Sequence, residues 1–162
     1  MNEVQIPSQL FASYFEANIR VLFDWGRLKR EDWNIGLSVV TSKSKLAKGF
    51  VPWYIGKKEK EVSYSSPDAK PVSLSQVQNV LPFLNKKRSH LITQLSNSFE
   101  ISRQPVQLVV PAYDLGKQRF LLLDGNHRIA ALMMCNAKFR LMIFKVYGSM
   151  DSNILPDLEF WS

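Results

Sequence analysis

Residues 120–132 read Phe-Leu-Leu-Leu-Asp-Gly-Asn-His-Arg-Ile-Ala-Ala-Leu, and the five polar residues in the middle have types and spacing suited to chemistry. The apolar run 120–123 has the composition of a buried strand. Residues 129–134 form an apolar helix, so 124–128 falls where a strand feeds a helix. The first N–H groups of a helix lack intrahelical partners and converge on one spot, which the helix dipole makes attractive to an anion. Arg128 and His127 in the first turn are side chains suited to holding a phosphate there. Each residue also has a plainer reading. Asp124 caps the helix, or ligates a metal near a transferred phosphoryl group; Gly125 permits a positive φ or a close backbone approach. Asn126 caps or faces a ligand, His127 is structural or ligand-facing, and Arg128 meets phosphate or a structural carboxylate.

The flanking sequence supplies the elements that must position this turn. Residues 106–111 and 119–123 read as a hairpin around the Asp114-Leu115-Gly116-Lys117 turn, and 139–147 as a further strand. A short helix is expected over 73–81, and a second over 82–99 with Pro82 in its first turn. Leu84, Leu91, Ile92, Leu95 and Phe99 give the second helix one apolar stripe, with Lys86, Lys87 and Arg88 facing out and His90 solvated. Near the start, 8–23 reads as an apolar-faced helix capped by Ser8 and closed by Trp25-Gly26. Strands are expected at 35–40 and 51–55, an exposed charged turn at 57–61 and a loop over 63–71. The tail 151–162 is too apolar to hang free.

Composition bounds the rest. With 162 residues, 46% of them apolar, the chain suits one domain with a packed core. The net charge of +7 is concentrated: residues 27–60 carry nine Lys or Arg against three acids. That segment suits a polyanion, with Trp25, Trp33, Trp53 and Tyr54 available for base stacking, or is simply a solvated face. The lone Cys135 precludes an intramolecular disulfide and reads as a buried thiol, which fits a reducing, cytoplasmic setting. There is no zinc-ligand spacing, no Gly-rich nucleotide loop, no signal-peptide layout and no run long enough to span a bilayer, so a membrane partner is not expected.

From 82 to 148 the order of elements and motifs resembles the ParB/sulfiredoxin-like superfamily. The residues that carry the resemblance are Leu95-Ser96-Asn97-Ser98, Gln104-Pro105-Val106-Gln107-Leu108-Val109, the strand 120–123, and Asp124-Gly125-Asn126-His127-Arg128-Ile129-Ala130-Ala131. The resemblance implies an α/β (α+β) fold, with a small mixed sheet and flanking helices in a core over 73–162. Residues 1–72 would be an N-terminal helix and basic extension packed on that core. It also implies a cradle for a nucleotide (ATP, ADP or CTP) with Mg²⁺, or for another phosphorylated small molecule. Asp124 and His127 would then be catalytic, with Asp124 also the metal ligand, and Gly125, Asn126, His127 and Arg128 would bind the nucleotide.

Sulfiredoxin chemistry is not expected, because Asn126 stands where those enzymes carry their catalytic Cys. A full partition protein is not expected either, since 26 residues after 136 leave no room for its further motifs. The Asp-Gly-x-His-Arg form is closer to kinase-like members, which makes phosphoryl transfer or nucleotide hydrolysis the implied class. Glu16, Asp24, Glu31 and Asp32 are candidates for the upstream carboxylate such enzymes need. The alternative is a DNA- or RNA-associated module that grips backbone phosphate through the turn and residues 27–60.

Overall fold

The computed structural model describes residues 3–19 and 21–162. Its centre is a parallel pair of strands, β6 (Val106–Gly116) and β8 (Phe139–Tyr147), aligned from Val106 opposite Phe139 to Tyr113 opposite Val146. Both strands carry β-branched and aromatic residues and are buried on two faces along their central stretches, Val110–Tyr113 and Ile143–Val146. β2 (Asn34–Val40) pairs antiparallel with β8, and β1 (Val4–Ile6) with β2. On the other side, β7 (Arg119–Leu122) returns antiparallel along β6. Next comes β3 (Gly49–Ile55), parallel to β7, with the short β4 (Glu61–Val62) and β5 (Lys70–Ser73) both antiparallel to β3. The sheet therefore has eight strands in the order β1-β2-β8-β6-β7-β3-β4, with β5 also on β3. The class is mixed α/β of the α+β kind, as the sequence implies.

Each face of the sheet has its own core. Leu108, Val110 and Ala112 of β6 point to a face covered by α4 (Val77–Val80), α5 (Lys86–Glu100) and α6 (Asn126–Met133). Tyr113 and Leu115 point to the opposite face, where Phe11, Phe15 and Leu28 of α1 (Ser8–Phe15) and α2 (Trp25–Glu31) pack with the tail residues Ile154, Leu155 and Leu158. The one-in-two alternation of strand side chains thus splits one strand's residues between two cores.

Several boundaries differ from the sequence reading for identifiable reasons. The expected helix 8–23 ends at Phe15, where Asn18 turns its amide onto the Tyr14 carbonyl. Ile19 and Phe23 stay buried but are delivered by irregular chain, and position 20 lies outside the described residues. Ser8 is not the cap; Pro7 holds that position, and the buried Ser8 hydroxyl donates to Asp32 at 2.7 Å. Trp25-Gly26 opens α2, whose cap is the Asp24 carboxylate accepting the Arg27 N–H at 2.9 Å. Pro82 lies in a 3-10 turn, and the second long helix begins after Asn85, whose side chain accepts the Arg88 N–H. β6 runs on past Pro111. That residue accepts the Leu123 N–H at 2.9 Å but has none to offer in return, at the point where β7 stops.

Residues 1–72, expected as a helix and basic extension, supply β1 to β4 of the sheet, and the expected 72/73 boundary falls inside β5. The tail docks as anticipated. A 3-10 turn over Pro156–Phe160 buries Leu158, and Asp157 accepts a hydrogen bond from the buried Tyr54 hydroxyl. Among the described residues no helix is long and apolar enough to cross a membrane. Because Ile154 is fully buried between α2 and the sheet, Ile154→Ala should cost about 2–5 kcal/mol, measured as a lower urea midpoint with an unchanged m-value.

Candidate functional site

β7 ends at Leu122 and α6 starts at Asn126, so the polar turn occupies the strand–helix junction that the sequence indicates. Gly125 makes the junction possible. It is the N-cap residue with φ +75°, and a Cβ there would lie 2.7 Å from Cγ1 of Val110 on β6. Only glycine meets both demands without strain. Asp124 does not cap the helix; its Oδ1 accepts the N–H of Gly125 itself at 2.8 Å. No side chain caps α6, and its first hydrogen bond runs from Ile129 N–H to the Gly125 carbonyl. The N–H groups of Asn126, His127 and Arg128 precede that bond and give the turn its anion-attracting end. Arg128 is exposed, while Asn126 is half-buried with its Oδ1 fully buried and without a hydrogen-bond partner among the described residues.

The turn opens on a cleft of about 750 Å³, whose other walls include Leu91 and Leu95 of α5 and Val109 of β6. A second cleft of about 480 Å³ adjoins it at Val21 and is lined by Trp53, Tyr54, Glu61, Tyr64, Arg88 and Asp157. His127 stands between the two. Its Nε2 is 3.0 Å from Nη1 of Arg88, and its ring lies 5.1 Å from that of Trp53. A guanidinium can only donate, so Nε2 is the acceptor and the neutral imidazole carries its proton on Nδ1. Arg88 lies 4.4 Å over the Trp53 ring and is clamped by Glu61, with Nε 2.9 Å from Oε1. Asn85 also donates to Glu61 at 3.0 Å. Burial, and then the charge of Arg88, hold the His127 pKa below its usual 6.5; Glu61 opposes them in part.

The sequence reading placed Arg88 outward with Lys86 and Lys87. The structure instead brings it half-buried against three partners from three other elements. Glu61 is the carboxylate that sequence reasoning missed, because it sits in the charged stretch 57–61 with no spacing signal of its own. The four carboxylates proposed from sequence are engaged elsewhere. Glu16 pairs with Lys29, Asp24 caps α2, Glu31 pairs with Arg27, and Asp32 accepts from Ser8. None of them lines either cleft. Trp33, Trp53 and Tyr54 are core residues rather than exposed stacking platforms, and Trp25 packs on Phe11 and Phe23.

The basic residues of 27–60 do not form one patch. α2 lies on one face of the sheet and α3 (Lys43–Leu46) on the other, while Arg27 and Lys29 are paired with acids. Among the described residues no group of three His, Cys, Asp or Glu could hold a metal ion by itself. A magnesium ion at Asp124 would need the oxygens of a bound phosphate and water to complete its shell. Comparison with protein-family models, characterised proteins and solved structures finds no match.

Two consequences are measurable. Gly125→Ala should lower stability by about 1–3 kcal/mol in chemical denaturation, from the positive φ and the Val110 contact together. His127 should titrate below 6.5 in an NMR pH series. The unfolded chain then binds more protons than the folded one between the two pKa values. The His127 contribution is therefore complete above 6.5 and is lost as pH falls through the folded value. His127→Asn should flatten that part of the stability–pH curve relative to the unsubstituted chain, and equal slopes would contradict the assignment.

Proposed function

We propose that the 124–128 turn binds the phosphate of a nucleotide or another phosphorylated small molecule, as the resemblance to ParB/sulfiredoxin-like proteins implies. The observation that carries this reading is the uncapped start of α6, lying on a left-handed glycine and opening into a cleft lined by Arg128, with Arg88 in the adjoining cleft held against His127. The N–H groups of Asn126, His127 and Arg128 hold the phosphate oxygens, and Arg128 neutralises them from the solvent side. Because Arg88 occupies Nε2 of His127, the ring donates to the ligand through Nδ1–H. The Asn126 amide, free of protein partners at Oδ1, turns either its acceptor or its NH₂ to the ligand.

Glu61 acts as a positioning residue, fixing the guanidinium of Arg88 rather than touching substrate. If the site catalyses, the class is phosphoryl transfer or nucleotide hydrolysis. Arg88 and Arg128 would stabilise charge on the transferred group, and Asp124 would ligate the Mg²⁺ carried by the nucleotide. A preorganised cation pair contributes most as negative charge shifts between oxygens in the transition state.

Thermal-shift and calorimetric titration with ATP, ADP and CTP in the presence of Mg²⁺ tests the reading. At least one nucleotide should raise Tm and bind, and Arg128→Ala should weaken that binding about tenfold or more. Substituting Lys57, Lys58 and Lys60 by Ala should leave it unchanged. Flat titrations with all three nucleotides would overturn the proposal. Steeply salt-dependent binding of DNA or RNA that falls with each of those lysines would favour the nucleic-acid module instead.

A further inference from the structure

At the other end of β6 and β7 from the turn, the same sheet face is left uncovered by α4–α6 and carries a cleft of about 700 Å³. Val40, Phe120 and Ile143 form an apolar floor, and into it projects the side chain of Lys145, a residue only 8% exposed. We infer that this cleft is a second binding site, for a small anion that carries its carboxylate or phosphate on an apolar or aromatic body.

The argument starts from the donors of Lys145. Its ammonium lies between the rings of Phe120 and Tyr147, 5.8 Å from each centroid, and 3.7 Å from Oε1 of Glu3. That separation is an ion pair but too long for a hydrogen bond, and the ammonium makes no other hydrogen bond among the described residues. Glu3 is already committed, since both its oxygens take the Tyr147 hydroxyl, at 2.6 and 2.7 Å. Its carboxylate lies over Gly36, where a Cβ would sit 2.0 Å from Oε2. A lysine placed only to anchor Glu3 would be expected to meet it at hydrogen-bond distance. Here the ammonium, beyond that ion pair, borders the cavity.

The charge around the cleft has the sign that such a ligand needs. Lys45, Lys48 and Lys117 stand exposed on the rim, so with Lys145 four ammonium groups face the two carboxylates of Glu3 and Asp114. The volume far exceeds that of one phosphate, and the floor beside the ammonium is hydrocarbon and aromatic. An anionic head on Lys145 with its body across Phe120 and Val40 fits both features.

The test uses phenyl phosphate, benzoate and inorganic phosphate, followed by amide shifts of Ser38, Gly116 and Lys145 in ¹H–¹⁵N NMR. At least one aromatic anion should shift these amides and bind more tightly than inorganic phosphate, which cannot use the floor. The relative strength of phenyl phosphate and benzoate distinguishes the head groups. Arg128→Ala should leave this binding unchanged, which keeps the site separate from the turn. Lys145→Met should weaken it about tenfold or more. The triple substitution Lys45→Ala, Lys48→Ala and Lys117→Ala, confined to exposed side chains, should also weaken it and provides the result if Lys145→Met does not fold. Absence of shifts with both aromatic anions, or shifts unaltered in the variants that fold, would overturn the inference and leave Lys145 as an anchor for Glu3.

Discussion

Everything at the turn follows from the parallel alignment of β6 with β8. Parallel neighbours cannot be joined by a tight hairpin, so the chain leaving β6 must travel the length of the sheet before it re-enters beside it. It does so by laying β7 antiparallel on β6 and then returning through α6 across the face that holds Leu108 and Val110. The junction between those two segments must lift the chain off the sheet within a few residues, directly above β6. A left-handed glycine meets that demand, and the close approach of Gly125 to Val110 is the consequence. A helix begun in this way starts with its N–H groups uncapped and directed into the cleft.

The second ingredient comes from outside this crossover. Glu61 belongs to an edge strand, Arg88 to the first turn of α5, Trp53 to β3 and His127 to α6. They come from four elements of the fold, yet Arg88 touches the other three. A guanidinium can do this because its plane stacks on an indole while its edge donates to both a carboxylate and an imidazole. The arrangement gives His127 a defined tautomer and a depressed pKa, and it holds a fixed cation at the boundary of the two clefts.

Polar groups at both ends of this sheet lack a full set of hydrogen bonds within the described residues. Asn126 leaves a buried oxygen without a partner at one end, and Lys145 leaves ammonium donors unfilled at the other. By contrast, the buried Ser8 hydroxyl is matched by Asp32 and that of Tyr54 by Asp157. For the Asn126 oxygen the contrast matters because an unpaired buried polar group costs roughly 1–3 kcal/mol, a sizeable part of a domain's stability.

The elements around the turn were legible because their signals are local. The β6–β7 hairpin, α6, β8 and most of α5 are written in alternation, helical periodicity and glycines at two turns, 116 and 125, where φ is above zero. The same reading failed for residues 8–23, where apolar spacing at helical period records burial but not helix, and for Arg88, where the run Lys86-Lys87-Arg88 suggested solvent. By itself the sequence determined the class of fold, the strand–helix junction and the chemical character of 124–128, since backbone propensity and turn chemistry act over a few residues. Only the tertiary structure decided that the first 72 residues build the sheet rather than decorate it, that Glu61 and Arg88 join His127, and that Lys145 faces a cavity. Those outcomes depend on which strands become neighbours, and strand pairing is set by the packing of the whole chain rather than by any one segment.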